Sequence, residues 1–228
     1  RHTLLATATH DTKRGEDTRL RIHALSGIAE EWDLRVKRWV RWNRRWKRPV
    51  DGRAAPSGAE ESLLYQTLVG SWPRSDGRPP EPGAAWLATY HERLRGYAIK
   101  AVREAKLHSS WRHPGEAYEA QLLSFLGALL DASRPNPFLA DLAAFAARVA
   151  PIAALHGLAQ TVLKATLPGV PDFYQGTELW DLSLADPDNR RPVDFAGRKA
   201  ALAAGAGLAG SDVAPLLGEW ADGRIKLW

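Results

Sequence analysis

The sequence predicts a mainly α-helical chain that carries two strands of the α/β-barrel kind. Three observations predict it. Apolar and aromatic residues recur at helical spacing over Ala29–Trp46, Trp86–His108 and Glu116–Asp131. A short β-type run, Leu4 to Thr9, breaks abruptly into His10, Asp11, Thr12, Lys13, Arg14, Gly15, Glu16 and Asp17. Prolines at 168 and 171 force a second extended run that ends at Gln175-Gly176.

The opening run is the most informative. A buried strand that ends in a cluster of titratable groups is what an α/β barrel places at its catalytic mouth. Asp11 or Thr12 would also serve as an N-cap of the helix that follows, and caps are commoner than active sites. The segment Thr12–Leu25 reads as that helix, ended by Ser26-Gly27. In Ala29–Trp46, the residues Trp32, Val36, Trp39, Asn43 and Trp46 share one face, which is read as core, with arginines on the others. Pro49–Pro56 reads as a loop. Ser57 and Glu60 have the spacing of a capping box and open a helix to about Val69. Gly70 to Pro73 stops it, and the proline-rich stretch 75–83 is a loop.

The next helix buries Trp86, Tyr90, Leu94, Tyr97 and Ala101, and the one after it Tyr118, Leu122, Phe125, Leu126 and Leu129. Glu104 and His108 have the spacing of a metal pair, but without a third ligand no metal is expected. Asn136-Pro137 is a cap followed by proline at the first helical position. That helix covers Phe138–Val149, and Pro151 is expected to interrupt or kink it. Ile152–Leu167 is so apolar that burial on most sides is expected. Asp172–Gln175 reads as a second buried strand. The stretch 180–194 is a polar, turn-rich loop, and Phe195–Gly210 is weakly helical.

Composition bounds the remaining classes. At 228 residues with 45% hydrophobic and 25% charged, the chain has ample length for a core in one large or two small domains. No uninterrupted apolar run long enough to cross a bilayer is found, and no basic, apolar leader. A cytoplasmic location and no membrane partner are therefore expected. With no Cys there is no disulfide framework and no thiolate metal site. With no Met, and with a terminal Arg224-Ile225-Lys226-Leu227-Trp228 that reads like the start of an element, the chain is expected to be a piece of a longer protein. The net charge of +5 is uneven: Lys or Arg stands at 35, 37, 38, 41, 44, 45, 47 and 48 with no acid between. Such a run, interleaved with Trp, suits a stacking-plus-phosphate surface, so a basic helical nucleic-acid-binding module is one alternative.

Two long stretches are specific enough to name a family. ATATHDTKRGED (6–17) and PGVPDFYQGTELWDLSLADPDNRRPVD (168–194) resemble the maltooligosyltrehalose synthases, the (1→4)-α-D-glucan 1-α-D-glucosylmutases of the α-amylase superfamily. LVGSWP (68–73) and KAVREAKLHSSW (100–111) look similar too, so the resemblance covers nearly the whole chain. It implies a helical insertion subdomain plus the last one or two strands of a (β/α)8 barrel, as a fragment. Residues 1–12 would be the end of strand seven with its His-Asp motif, and 13–150 the insertion. Residues 151–200 would be the last barrel helix, strand eight and its loop, and 201–228 a connection toward a further domain.

The resemblance also implies roles. Asp11 would be the carboxylate that stabilises the transition state, and His10 would hydrogen-bond the same sugar. Lys13 and Arg14 would contact further sugars or hold Asp11 ionised, with surface salt bridging an equal alternative. Tyr174, Gln175 and Glu178 would line the pocket floor, while Asp186, Asp188, Asn189 and Arg190 would chiefly stabilise their own loop. The substrate would be a maltooligosaccharide, with no cofactor, metal or nucleic acid, and an oligomeric state the sequence leaves open. The nucleophile and general acid/base of the family have no counterpart here; Glu16, Asp17 and Glu178 do not match them. The isolated chain is therefore expected to be inactive. Another hydrolase of the superfamily is a further alternative, against which the TKRGED and DPDNRRPVD wording counts. With two strands and no other strand to pair with, 1–12 and 168–180 are expected to be irregular or locally re-packed.

Overall fold

A computed structural model describes residues 3–207 and 214–228. The order is β1 (Leu4–Ala6), α1 (Glu16–Ala24), α2 (Ala29–Asn43), β2 (Arg48–Val50), β3 (Arg53–Ala55), α3 (Gly58–Ser71), α4 (Ala85–Ala105), α5 (Glu116–Leu129), α6 (Pro137–Thr166), β4 (Val170–Asp172), α7 (Phe195–Gly205), α8 (Ala214–Gly218) and α9 (Arg224–Leu227). Helices hold 62% of the described residues, which makes the class mainly α. The chain divides into two compact units, Leu25–Ala147 and Arg1–Ala24 with Arg148–Trp228.

In the unit Leu25–Ala147 the Trp stripe of α2 faces inward. Trp39 is fully buried, and its ring meets Tyr65 and Phe138 edge-on with centroids 5.3 and 5.2 Å apart. Trp32 stacks on Phe145 at 6.0 Å. Trp39 therefore belongs to the core, and the half-buried Trp32 packs against it and Phe145, so neither ring stands free as a stacking platform. The polar atoms among them are matched. Trp39 Nε1 donates to Asp141 Oδ2 at 2.7 Å, and Arg35 donates to Asp141 Oδ1 at 2.7 Å. Asn43 donates to Tyr65 Oη at 2.9 Å, and Tyr65 donates to Glu61 at 2.7 Å. Burial and the Glu61 carboxylate push the Tyr65 phenol well above its ordinary value, so it remains a donor. The Ser57/Glu60 capping box starts α3 as the spacing requires, and Asn136 Oδ1 accepts from Leu139 N at 3.2 Å to start α6.

Four expectations need correction. The stretch 49–56 is not a plain loop, because β2 and β3 form an antiparallel hairpin with Arg48 opposite Ala55. Asp51 and Gly52 sit between them at φ of 50° and 75°, the positive values that two-residue hairpin turns demand. Second, α6 runs unbroken through Pro151. Small buried neighbours, Ala150, Ala153 and Ala154, leave room for the ring, and packing along the helix outweighs the missing hydrogen bond. As one helix, α6 is long and apolar enough to cross a membrane by length and composition, a run the sequence reading missed by breaking it at Pro151. Within it Asp141 and Lys164 are each held in an ion pair. Third, its second half is not buried on most sides: Leu155, Val162, Leu163 and Leu167 are exposed. Only the stripe through Ala153, Ala154, Gly157 and Lys164 faces in.

The fourth concerns the strands. Residues 4–6 and 170–172 are not irregular but pair with each other in a parallel ladder, Leu4 opposite Val170 and Ala6 opposite Asp172. The second strand begins two residues earlier than expected, and all three of its residues are exposed. A two-stranded ladder has no second layer of strands to cover its faces. The Ala-rich stretch is helical over α7, and its last residues, 208–210, lie outside the described residues.

Trp39→Ala is expected to lower the unfolding free energy by roughly 3–5 kcal/mol, the usual range for truncating a large buried aromatic. Urea denaturation at unchanged slope would read it. A loss under about 1 kcal/mol, typical of surface changes, would remove Trp39 from the centre of this core.

Candidate functional site

The site belongs to the unit Arg1–Ala24 with Arg148–Trp228. Because β1 and β4 are parallel, both end at the same edge of the ladder. The segments 7–11 and 173–178 therefore leave from one end. After β1 the chain makes a tight turn. Thr12 N and Oγ1 donate to Thr9 O at 3.2 and 2.7 Å, and Asp11 N donates to Thr9 Oγ1 at 3.2 Å. The turn throws the two residues between the threonines outward. His10 Nε2 lies 3.2 Å from Asp11 Oδ2, and the Asp11 side chain is 85% exposed. Helix α1 begins only at Glu16, so neither Asp11 nor Thr12 caps it.

Of the other expected residues, Lys13 and Gln175 are exposed and Arg14 and Tyr174 half-buried. Arg14 forms a β-bridge with Leu184. Tyr174 contributes its carbonyl, which accepts from Thr177 N and Oγ1 at 3.1 and 2.7 Å. Glu178 Oε2 accepts from Gly176 N at 3.1 Å and from Arg198 Nε at 2.9 Å, while Arg198 Nη2 donates to Gly176 O at 2.9 Å. Glu178 thus ties its own loop to α7. Arg198 was invisible as its partner because the two lie in different elements.

The loop 181–191 is fastened to the chain that follows the His-Asp turn. Gly15 N donates to Ser183 O at 2.8 Å, Thr18 Oγ1 donates to Ser183 O at 3.2 Å, and Asp181 N donates to Asp17 Oδ2 at 2.6 Å. A Cβ at Gly15 would push aside the Asp181 carboxylate and Ser183 Oγ. Within the loop, Asp188 Oδ2 accepts from Leu184 N at 2.7 Å, Arg191 pairs with Asp188 at 3.2 Å and Arg190 with Asp186 at 2.8 Å. Asn189 points elsewhere. Its Nδ2 donates to His10 O at 2.9 Å and to Thr9 O at 3.3 Å.

Beneath the turn lies a buried charge cluster that sequence reasoning passed over. Lys226 Nζ is 2.6 Å from Glu16 Oε1 and 2.8 Å from Asp17 Oδ2. Lys164 Nζ donates to Thr7 Oγ1 at 2.8 Å, lies 3.7 Å from Glu16 Oε2 and sits 3.9 Å from the centre of the Phe173 ring. Thr7 Oγ1 donates in turn to Glu16. Glu16, Asp17, Lys164 and Lys226 are all buried. Burial alone would raise the Glu16 carboxyl, but Lys226, Thr7 and Lys164 together bring it below its ordinary 4.5. Asp17 goes the other way: burial and the nearby Glu16 charge outweigh Lys226 and raise it above 3.8. Burial would lower Lys226, yet the Asp17 and Glu16 charges raise it above 10.5; Lys164, with burial dominant, is lowered. The acids looked like ordinary first-turn helix residues, and Lys226 stands 209 positions from Asp17, so no local pattern linked them. Among the described residues no group of three or more His, Cys, Asp or Glu could hold a metal ion.

No protein-family model matches the chain. It is 41% identical over 197 residues to a Mycobacterium tuberculosis protein provisionally named a maltooligosyl trehalose synthase, over 86% of this chain and 23% of that protein. A crystal structure of a maltooligosyl trehalose synthase is similar with a TM-score of 0.81 at 33% identity, covering 100% of this chain and 28% of that one. The Arthrobacter ramosus maltooligosyltrehalose synthase gives a TM-score of 0.68 at 33% identity, over 99% of this chain and 27% of that one. The chain thus spans about a quarter of the length of the relatives it matches.

Glu16→Gln leaves Lys226 short of a buried partner and is expected to cost about 3–5 kcal/mol near neutral pH. A depressed carboxyl contributes stability above its ordinary value and loses it as pH falls through its folded value. The difference between wild type and Glu16→Gln should therefore hold from pH 4.5 up to 10.5, where Lys226 is still charged, and shrink below 4.5. Denaturation midpoints across that range test this; a difference that does not move with acid contradicts it.

Proposed function

Since this chain is homologous to a portion of maltooligosyl trehalose synthase, we propose that it is the part of such an enzyme that presents the transition-state-stabilising carboxylate, Asp11. The whole enzyme would convert the reducing-end α-1,4 bond of a maltooligosaccharide into an α,α-1,1 bond. A carboxylate nucleophile on another part of the enzyme attacks the anomeric carbon, and a general acid there protonates the departing glucose. That glucose turns within the site, and its anomeric hydroxyl attacks the glycosyl-enzyme while the same residue takes the proton. The turn requires a subsite that keeps water out and glucose in.

Asp11 stabilises the sugar by accepting hydrogen bonds from ring hydroxyls that become better donors as positive charge develops. His10, within hydrogen-bond reach of Asp11, is a donor to the same sugar. Lys13 and Arg14 supply positive charge on the same short segment. Tyr174 and Gln175 leave the neighbouring strand at the same edge, and Glu178 holds their loop to Arg198. The observation that carries the reading is an ionisable pair, exposed on a turn at the carboxyl end of a parallel strand pair, where α/β folds bind ligands.

In a full-length synthase carrying this chain, Asp11→Asn is expected to lower kcat by roughly 100-fold or more, as several kcal/mol of transition-state stabilisation are lost. Turnover near the wild-type rate would end the assignment. The isolated chain is expected to form no non-reducing ends from maltooligosaccharide; measurable loss of reducing sugar with it alone would show that the chemistry is complete here.

A further inference from the structure

The stretch 184–191 supplies its own stiffness. Leu184 N and the Asp188 carboxylate close it, and backbone bonds from Asp188 N to Ala185 O and from Arg190 N to Pro187 O, each 3.0 Å, add to the closure. Arg190 and Arg191 pair with acids of the same stretch. Asn189 is in the middle of the 3-10 turn Asp188–Arg190, and its side-chain amide bonds across 179 and 180 positions to two successive carbonyls, His10 O and Thr9 O. Those carbonyls belong to the two peptides on either side of His10, the second of which joins His10 to Asp11. The other end of the side chain, Oδ1, is buried with no hydrogen-bond partner among the described residues.

The residue type suits this task. An amide NH2 offers two donors on one neutral atom, which two adjacent carbonyls can share. A carboxylate of the same shape would present only acceptors to acceptors, and a serine hydroxyl offers one donor on a shorter stem.

We propose that Asn189 is a positioning residue for Asp11: it sets the His10-Asp11 turn by gripping the carbonyls of Thr9 and His10 from the rigid loop 184–191. The proposal rests on the reading that Asp11 contacts the reacting sugar. It goes further in making the loop after the second strand part of the device that aims the carboxylate. Small misplacements of such a group cost rate more than binding.

The test uses a full-length synthase carrying this chain and compares wild type, Asn189→Ala, Asn189→Asp, Asp11→Asn and the Asp11→Asn/Asn189→Ala pair. Asn189→Ala should lower kcat about tenfold or more while KM moves less than about threefold, and Asn189→Asp should be no better. In the Asp11→Asn background the same alanine should change kcat less than about twofold, since the group it aims is gone. Asn189→Ala with kcat within about twofold of wild type overturns the proposal. So does an equal fold-loss in both backgrounds, which would make Asn189 a general stabiliser. If Asn189→Ala does not fold, the isosteric Asn189→Asp is judged by the same criteria. If Asp11→Asn is too slow to follow, the split between KM and kcat decides. Wild-type turnover by Asp11→Asn is a separate result: it removes the reading of Asp11, whatever Asn189 does.

Discussion

Two lysines and two acids taken out of water set the terms for the unit that carries the site. Each buried charge costs several kcal/mol unless its partners are in place. Glu16 and Asp17 begin α1, Lys164 lies in the second half of α6 and Lys226 in the terminal helix α9. Losing Lys226 would leave both acids without their nearest cation, and losing Glu16 would leave each lysine short of a partner. Asp181 N adds a hydrogen bond to Asp17, and Phe173 and Trp180 present ring faces to Lys164 and Lys226. The opposite shifts of Glu16 and Asp17 express the same geometry: two carboxylates share one buried ammonium, and the second lysine sides with Glu16.

The His-Asp turn is built on that foundation. One end is β1, held in the ladder with β4; the other is Gly15 and α1, held by Ser183 and the charge cluster. Between these two ends the turn is bonded within itself by Thr9 and Thr12 and from outside by Asn189. The outcome is an exposed carboxylate and imidazole on a stiff mount.

Helix α6 shows how one element serves two surroundings. Its first half places Phe138, Leu142 and Phe145 in the aromatic core, where Asp141 takes up Trp39 and Arg35. Its second half turns small residues and Lys164 inward and leaves larger aliphatics exposed. The change from large to small buried residues falls near Pro151, which explains why the proline is accommodated: the residues around it are alanines with little to displace.

The sequence by itself determined whatever depends on near neighbours. The Trp stripe of α2, the Ser57/Glu60 box, the Asn136 cap and the apolar faces of α4 and α5 follow from spacings of three and four, which the helix geometry turns directly into faces. The wording around His10-Asp11 and around 168–194 was long enough to indicate the family. Tertiary structure alone decided the rest. Hairpin pairing across Asp51-Gly52 and passage through Pro151 turned on packing that outweighed local signals. That β1 finds β4, that Lys226 closes on Glu16 and Asp17, and that Asn189 rather than its charged neighbours grips the His-Asp turn are contacts across more than 160 positions. Such pairings leave no period in the sequence, because their energy comes from desolvation and geometry that exist only once distant segments have met.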